Sequence, residues 1–355
     1  TSGSTTDPKG VMLSHDSFSS YILSNVTPAD IEQNEKNILT VPMYHIAGIQ
    51  AVMAAIYGGR TLIIQRQFEP VEWMSLVQSE QASRAMMVPT MLKMLMDHPE
   101  FDTYDLSSLQ VITYGAASMP LEVIRKAIDK FPETHFINAF GQTETAATIT
   151  MLPPEDHILQ GSEVEIRKKL KRLTSIGKPL QDVEIKIVDE NGRSVKRGET
   201  GEIIAKGIRL MKGYWNQEEA TAEALRDGWL YTGDLGYMDD DDYIFLSGRA
   251  KDFIKRGGEM VSPEEVEQIL HSHPKVDEAA IIGVPDVQWG EQVRAIVVPV
   301  IGQIIDEEEI VSYCRDRLAS FKKPESVIVV RELPRNSLGK ILKTVLREQY
   351  GDPIS

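Results

Sequence analysis

The sequence has one cysteine, Cys314, in 355 residues. That excludes an internal disulfide framework and a cysteine-built metal site, and fits a reducing compartment such as the cytoplasm. No stretch reaches the ~18 consecutive apolar residues that a transmembrane helix needs. Positive charge is scarce: 38 Lys and Arg face 53 Asp and Glu, a net charge of −15. Non-specific binding to nucleic acid or to an anionic membrane needs basic patches and is disfavoured. An anionic nucleotide in a locally basic pocket stays compatible with this balance. No repeat and no low-complexity tract is present. What remains is ordinary soluble composition, 42% hydrophobic and 26% charged. The length suits two to three domains at ~150 residues each.

The first ten residues, Thr1-Ser2-Gly3-Ser4-Thr5-Thr6-Asp7-Pro8-Lys9-Gly10, form a hydroxyl- and glycine-rich stretch with one lysine. Backbone N–H groups and hydroxyls of such a loop can converge on an anion, and Lys9 adds a positive charge. On composition alone the stretch equally reads as a flexible linker. It differs from the P-loop, because its lysine follows a proline and precedes a glycine.

Further along, short apolar runs read as strands: 37–41, 61–64, 85–88, 109–114 and 135–140. Helical segments fall between or before them at 16–24, 71–79, 91–96 and 120–131. Alternating strands and helices imply parallel α/β layers, whose ligands gather beyond the carboxyl ends of strands. Two small-residue loops, Gly115-Ala116-Ala117 and Gly141-Gln142-Thr143-Glu144, follow such ends. From about residue 177, short strand candidates at 184–188, 202–205 and 243–246 are separated by turns, which reads as antiparallel β structure. The charged run 163–171 is a solvated helix or loop. A boundary is expected near 247–252. Beyond it, Ser262-Pro-Glu-Glu265 is a capping-box helix start, and strands at 279–284, 294–300 and 327–330 with a helix at 307–319 make a compact α+β module. Cys314 lies on an apolar helical stripe with Ile310, Leu318 and Phe321, so a buried structural thiol is expected there.

Six clusters recur in one order: the opening loop, Pro42-Met-Tyr-His45, Asn138-Ala139-Phe140-Gly141-Gln142-Thr143-Glu144, Tyr231-Thr-Gly-Asp234, Gly248-Arg249-Ala-Lys251-Asp252, and Pro334-Arg-Asn-Ser-Leu-Gly-Lys340. Together they resemble the motifs of the adenylate-forming superfamily, in its acyl-CoA synthetase branch. The resemblance implies an α/β large domain over 1–249 (α/β to 176, β-rich over 177–249) and a smaller, mobile α+β domain over 250–355. It also implies ATP and AMP binding, Mg²⁺, and CoA as co-substrate. The substrate would be an apolar carboxylic acid, either a medium- or long-chain fatty acid or an aryl or alicyclic one.

By the same resemblance, Thr1, Ser2, Gly3, Ser4, Thr5 and Lys9 hold the nucleotide phosphates, and Gly115, Ala116 and Ala117 form the adenine slot. Thr143 contacts phosphate, and Glu144 is the Mg²⁺ ligand, a hard oxygen donor suited to that ion. Asp234 and Arg249 hold the ribose hydroxyls. Lys340 bridges the carboxylate and the α-phosphate during adenylation, neutralising charge as it builds. His45 lies beside the acyl carboxylate, while Ile46 to Ile49 and Thr145 to Ala147 line the acyl pocket. Lys251 marks the hinge. Lys255, Gly257 and Gly258 face the pantetheine arm, where absent side chains allow close approach. Read singly, each has a plainer alternative: a helix cap at Thr143, a tight turn at Gly115, a solvated surface charge at Lys340.

Three departures stand out, of which the absence of a common proline from Gln217-Glu218-Glu219-Ala220-Thr221 is the mildest. Thr6 occupies a position where the superfamily has glycine, and the superfamily carries a substantial portion before the opening loop, so an incomplete large domain is expected. Loading of a carrier protein is the runner-up activity, and an inactive nucleotide-binding fragment is the alternative outside catalysis. A homodimer is compatible with the sequence.

Overall fold

The computed structural model describes residues 9–30, 32, 34–336 and 339–353. The expected phosphate contacts of Thr1, Ser2, Gly3, Ser4 and Thr5 therefore lie outside the described residues. The chain divides into two units, 1–232 with 237–245, and 233–236 with 246–355.

In the first unit, strand β1 (Val11–Met12) is followed by helix α1 (His15–Asn25), which Ser14 caps through the Ser17 N–H. A seven-stranded sheet comes next, built from β2 (Lys36–Leu39), β3 (Thr61–Ile64), β4 (Arg84–Met87), β5 (Val111–Gly115), β6 (His135–Gln142), β7 (Ala147–Leu152) and β8 (Lys178–Pro179), in the order β3-β2-β4-β5-β6-β7-β8. The first five strands in that order are mutually parallel, as the alternation of strands and helices implies, but β7 pairs antiparallel with both β6 and β8. The sheet is thus mixed. Helices α2 (Ile46–Tyr57), α3 (Pro70–Glu80), α4 (Pro89–Met96) and α5 (Leu121–Lys130) connect the parallel strands, and α6 (Glu163–Arg172) follows β7.

The start of α3 shows why the chain turns helical there. The Glu69 carboxylate accepts from the N–H groups of Val71 and Glu72, and Pro70 supplies a preset φ in the first turn. Its buried face, Trp73, Met74 and Val77, joins Leu92 and Leu95 of α4, Ile124 of α5, and Ile38, Ile112 and Phe136 of the sheet in one core.

The β-rich part holds β9 (Val183–Val188), β10 (Gly201–Gly207), β11 (Gly213–Tyr214), helix α7 (Glu218–Ala224), β12 (Leu225–Arg226), β13 (Trp229–Met238) and β14 (Ile244–Arg249). Strands run β12-β13-β10-β9, with β14 also on β13, while β11 pairs with β1. In β9, buried Val183, Ile185 and Ile187 alternate with exposed Glu184 and Lys186, the pattern of a sheet with one wet face.

The second unit contains β15 (Ile254–Arg256), β16 (Glu259–Val261), α8 (Pro263–His271), β17 (Val276–Asp286), β18 (Gly290–Pro299), α9 (Glu307–Arg315), β19 (Ser326–Val329) and α10 (Lys343–Tyr350). Its sheet runs β16-β15-β18-β17, with β19 parallel to β18. Side chains of β17 and β18 alternate between two cores. Ala279, Ile281, Val293 and Ala295 pack with Val266 and Leu270 of α8 and Ile310 and Cys314 of α9. Ala280, Ile282, Val284 and Ile296 pack on the other side with Leu346 of α10. The Cys314 thiol is buried, and burial pushes it up to about 11. At α8 only half of the expected capping box forms: Ser262 Oγ accepts from the Glu265 N–H at 3.2 Å, while the Glu265 carboxylate turns to Lys322. An ammonium at 2.7 Å is a stronger partner for it than a backbone N–H.

Among the described residues no helix is long and apolar enough to cross a membrane.

Candidate active site

In the first unit the candidate residues gather on the turn from β6 to β7. Strand β6 carries Asn138, Ala139, Phe140, Gly141 and Gln142, and it breaks register between Phe140 and Gly141. A single 3₁₀ turn, Thr143–Thr145, then reverses the chain. A Cβ on Gly141 would overlap the Ala147 carbonyl, so glycine is required for packing at this bend. Ala146 and Ala147 have φ of 49° and 85°, left-handed values that cost a non-glycine residue energy. The Thr145 hydroxyl offsets that cost by accepting from the Gln142 N–H at 3.0 Å and donating to the Ala147 carbonyl at 2.8 Å. Thr145 is therefore bound up in the turn.

This turn fixes Glu144, whose residue is 7% exposed. Its carbonyl accepts from the Met211 N–H at 2.8 Å, and its Oε1 accepts from the Tyr214 hydroxyl at 3.0 Å. Tyr214 belongs to β11, which pairs with β1 so that Val11 faces Tyr214. The Lys9 ammonium lies over the Tyr214 ring, 4.8 Å from its centroid. The fold thus joins the lysine of the opening loop to the carboxylate of the later motif through a tyrosine that the sequence did not single out. Among the described residues, no three His, Cys, Asp or Glu groups are placed to hold a metal. One buried hard carboxylate fits Mg²⁺, which keeps several waters and binds through one or two protein carboxylates together with phosphate oxygens.

Beyond β5 the chain passes through Gly115, Ala116 and Ala117. A Cβ at Gly115 would overlap the Ala139 carbonyl, so this glycine serves the β5–β6 contact, and Ala116 takes φ 66°. Beneath the loop, the Tyr114 hydroxyl and His157 Nε2 are 2.9 Å apart, and His157 Nδ1 is 2.9 Å from the Pro153 carbonyl. That carbonyl can only accept, so Nδ1 carries the proton and Nε2 accepts from the tyrosine. Burial pushes the His157 imidazole down to about 4.

His45 caps α2: its Nδ1 accepts from the Ala47 N–H at 3.2 Å. The imidazole proton therefore sits on Nε2, and burial lowers the ring's pKa, which favours a neutral donor. Ile46, Ala47 and Gly48 form the buried first turn of α2, and a Cβ on Gly48 would overlap the Pro42 carbonyl.

In the second unit, Asp234 and Arg249 come together: Arg249 Nε lies 2.7 Å from Asp234 Oδ1, and the carboxylate is buried. Lys340 sits in a tight reversal. Asn336 accepts from the N–H groups of Lys340, through its Oδ1 (3.0 Å), and Gly339, through its carbonyl (2.9 Å), and Gly339 has φ 77°. Arg335 braces the reversal by donating to the Gly339 carbonyl at 2.6 Å and pairing with Glu278. Lys340 as a residue is exposed, yet the protein around its ammonium displaces water. That desolvation, helped by Arg249 and opposed by Asp234 and Asp252, lowers its pKa. Lys251 is lowered for the same first reason, with Asp252 opposing. Asp252 is paired with Arg347 at 2.8 Å. Arg249, Lys251, Lys340 and Arg347 thus gather around Asp234 and Asp252, a local concentration of positive charge suited to phosphate in an acidic chain.

Lys255 is exposed on β15, and Gly257 and Gly258 make the β15–β16 turn with φ of 60° and 89°. A Cβ on Gly257 would press on the Trp289 ring at 2.8 Å, whereas among the described residues nothing beyond its chain neighbours lies within 4 Å of one on Gly258.

The profile of the AMP-binding enzyme family matches residues 1–215, and that of the AMP-binding enzyme C-terminal domain matches 265–340. A feruloyl-CoA synthase from Amycolatopsis sp is 36% identical over 352 residues, covering 99% of this chain and 69% of that protein. The long-chain-fatty-acid–CoA ligase FadD13 of Mycobacterium tuberculosis is 37% identical, with 99% and 66% covered. Among solved structures, amide bond synthetase McbA from Marinactinospora thermotolerans superposes with TM-score 0.88 at 32% identity, covering 98% and 68%. The o-succinylbenzoate CoA synthetase of Bacillus subtilis, solved with ATP and magnesium, gives 0.83 at 31%, covering 98% and 68%. The chain spans about two thirds of the length of these relatives.

Proposed function

The chain belongs to the AMP-binding enzyme family, and on that premise we propose that it is an AMP-forming acid–thiol ligase. Its substrates are ATP, CoA and an apolar carboxylic acid, aryl or fatty, the range spanned by the names of its relatives. A carboxylate oxygen attacks the α-phosphorus of ATP, the bond to the β-phosphate oxygen breaks, and pyrophosphate leaves. The CoA sulfur then attacks the acyl carbon, and AMP leaves with the electron pair of the acyl–oxygen bond.

The observation that carries this reading is the fixed Glu144 carboxylate, buried at the strand turn and tied through Tyr214 to Lys9. Glu144 would hold Mg²⁺, which when bound neutralises phosphate charge. Lys9 and Thr143 donate to phosphate. Gly115, Ala116 and Ala117, with residues 138–142 of β6, receive the nucleotide base. Neutral His45, its proton on Nε2, donates to the acyl carboxylate. Asp234 accepts from ribose hydroxyls while Arg249 holds its orientation. Lys340 supplies the cation of the adenylation step, and its lowered pKa reflects an ammonium ready to gain from an arriving anion. Lys251 belongs to the hinge, and Lys255, Gly257 and Gly258 to the thioester step. The reading puts 1–249 in the large domain and 250–355 in a mobile smaller one. It also carries a cytoplasmic location, in keeping with a single buried thiol, and a homodimer, which sedimentation would test.

ATP–pyrophosphate exchange with a panel of aryl and fatty acids tests the activity. Exchange followed by CoA thioester is expected. Exchange with transfer only to a carrier protein would replace CoA as the acceptor, and no exchange with any acid would overturn the reading. Lys340→Ala is expected to abolish exchange while sparing thioester formation from supplied acyl-adenylate. Equal loss of both steps would remove the assigned role.

A further inference from the structure

The contact between Tyr214 and Glu144 joins groups seventy residues apart in the chain, and its surroundings hold the tyrosine still. The Tyr214 N–H donates to Thr221 Oγ1 at 2.8 Å, and that hydroxyl donates in turn to the Gln217 carbonyl at 2.8 Å. Gly213 has φ 144°, and a Cβ there would press on the Thr221 methyl at 2.7 Å, so the approach of β11 to α7 needs a glycine before the tyrosine. On the other side, Trp215 N–H donates to the Gly10 carbonyl at 2.7 Å and Lys212 N–H to the Met12 carbonyl at 2.8 Å, locking the register with β1. The half-buried ring then presents its hydroxyl to Glu144 and its face to Lys9.

We propose that Tyr214 is a positioning residue of the nucleotide site, setting the Glu144 carboxylate for the metal and seating the Lys9 ammonium for phosphate. A donor on Oε1 fixes the rotation of the carboxylate, so the metal meets a preset ligand. The π-face attracts the ammonium and limits its wandering on a flexible stem. This rests on the ligase reading above, which supplies the metal and the nucleotide.

The test uses the whole chain and measures ATP binding by calorimetry, in EDTA and across a magnesium titration. Tyr214→Phe keeps the ring and removes the hydroxyl. It should raise the magnesium concentration at half-effect ~10-fold or more, the usual cost of losing a group that orients a metal ligand. ATP binding in EDTA should stay as in the wild type. Tyr214→Leu should show the same magnesium defect and also weaken binding in EDTA ~3-fold, through loss of the ring under Lys9. A melting temperature of Tyr214→Phe equal to wild type separates positioning from folding. If Phe lowers it, the EDTA titration, which a general loss of fold would also weaken, decides between them. Wild-type magnesium dependence in Tyr214→Phe overturns the proposal and leaves the ligase reading standing. Absence of ATP binding by the wild type, with or without magnesium, overturns that reading and the proposal with it.

Discussion

His157 links strand β5, through Tyr114, to the pH of the solution. In the folded chain its pKa is lowered to about 4 from 6.5, because burial disfavours the imidazolium. The unfolded state therefore binds the proton over the window between those values, and stability is lost as pH falls through it. At 1.36 kcal/mol per pKa unit, the gap corresponds to ~3 kcal/mol between neutral pH and pH 4, and to ~2 kcal/mol between pH 7 and pH 5. Protonation would also make Nε2 a donor, so the Tyr114 hydroxyl, which now donates to that nitrogen, would have to turn and accept. His157→Gln removes the titration. It costs ~1–3 kcal/mol at pH 7, since one of the two buried hydrogen bonds is lost. Urea denaturation of both proteins at pH 7 and pH 5, followed by the fluorescence of tryptophans such as fully buried Trp73, measures the difference. The variant should lose ~2 kcal/mol less than the wild type on acidification. Equal losses in the two proteins would refute the reasoning, because the imidazole would then not be the buried neutral group described.

In the second unit, Glu264 should show the opposite pH sense. Burial and the nearby Glu267 raise its carboxyl against the pull of Lys343, so its contribution is present at low pH and lost as pH rises through the folded value. Glu264→Gln should therefore gain in melting temperature over wild type at pH 8 and lose that gain at pH 4. Arg209 is fully buried and paired with Asp182. Arg209→Ala would leave an uncompensated carboxylate and should cost ~3–5 kcal/mol by denaturant titration, against a near-neutral Lys196→Ala on the surface. Cys314 should resist a thiol reagent in the native protein and react fully in urea, because its burial keeps the thiol protonated.

Much of this architecture is legible in the sequence. Strand β3 coincides with the apolar run 61–64, and β2, β4, β5 and β6 lie within two residues of theirs, because a strand buried by helices on its sheet reads as an unbroken apolar run. Helix α2 escaped, since Ile46-Ala-Gly-Ile-Gln-Ala-Val-Met-Ala-Ala-Ile-Tyr57 is apolar nearly all round and offers no helical stripe. Strand β7 escaped because it follows the motif directly, with the turn made by alanines in left-handed conformations that no sequence rule favours. Asp234 and Arg249, which the motifs single out together, lie 2.7 Å apart in the structure. Tyr214 gave little signal. Its partners lie far off in the chain, and only the glycine before it hints at a constrained backbone.

The two-residue ladder between β1 and β11 closes a loop of more than two hundred residues, from Val11 to Tyr214. Closing a loop of that length costs ~5 kcal/mol of chain entropy in an otherwise unfolded polypeptide, more than so short a ladder returns. The strands between them must therefore be in place first, each shortening the effective loop. Lys9 meets Tyr214, and so comes into register with Glu144, among the last events of folding. Nucleotide binding then reports completed folding of the first unit, and a kinetic refolding experiment should see core fluorescence recover before ATP binding does.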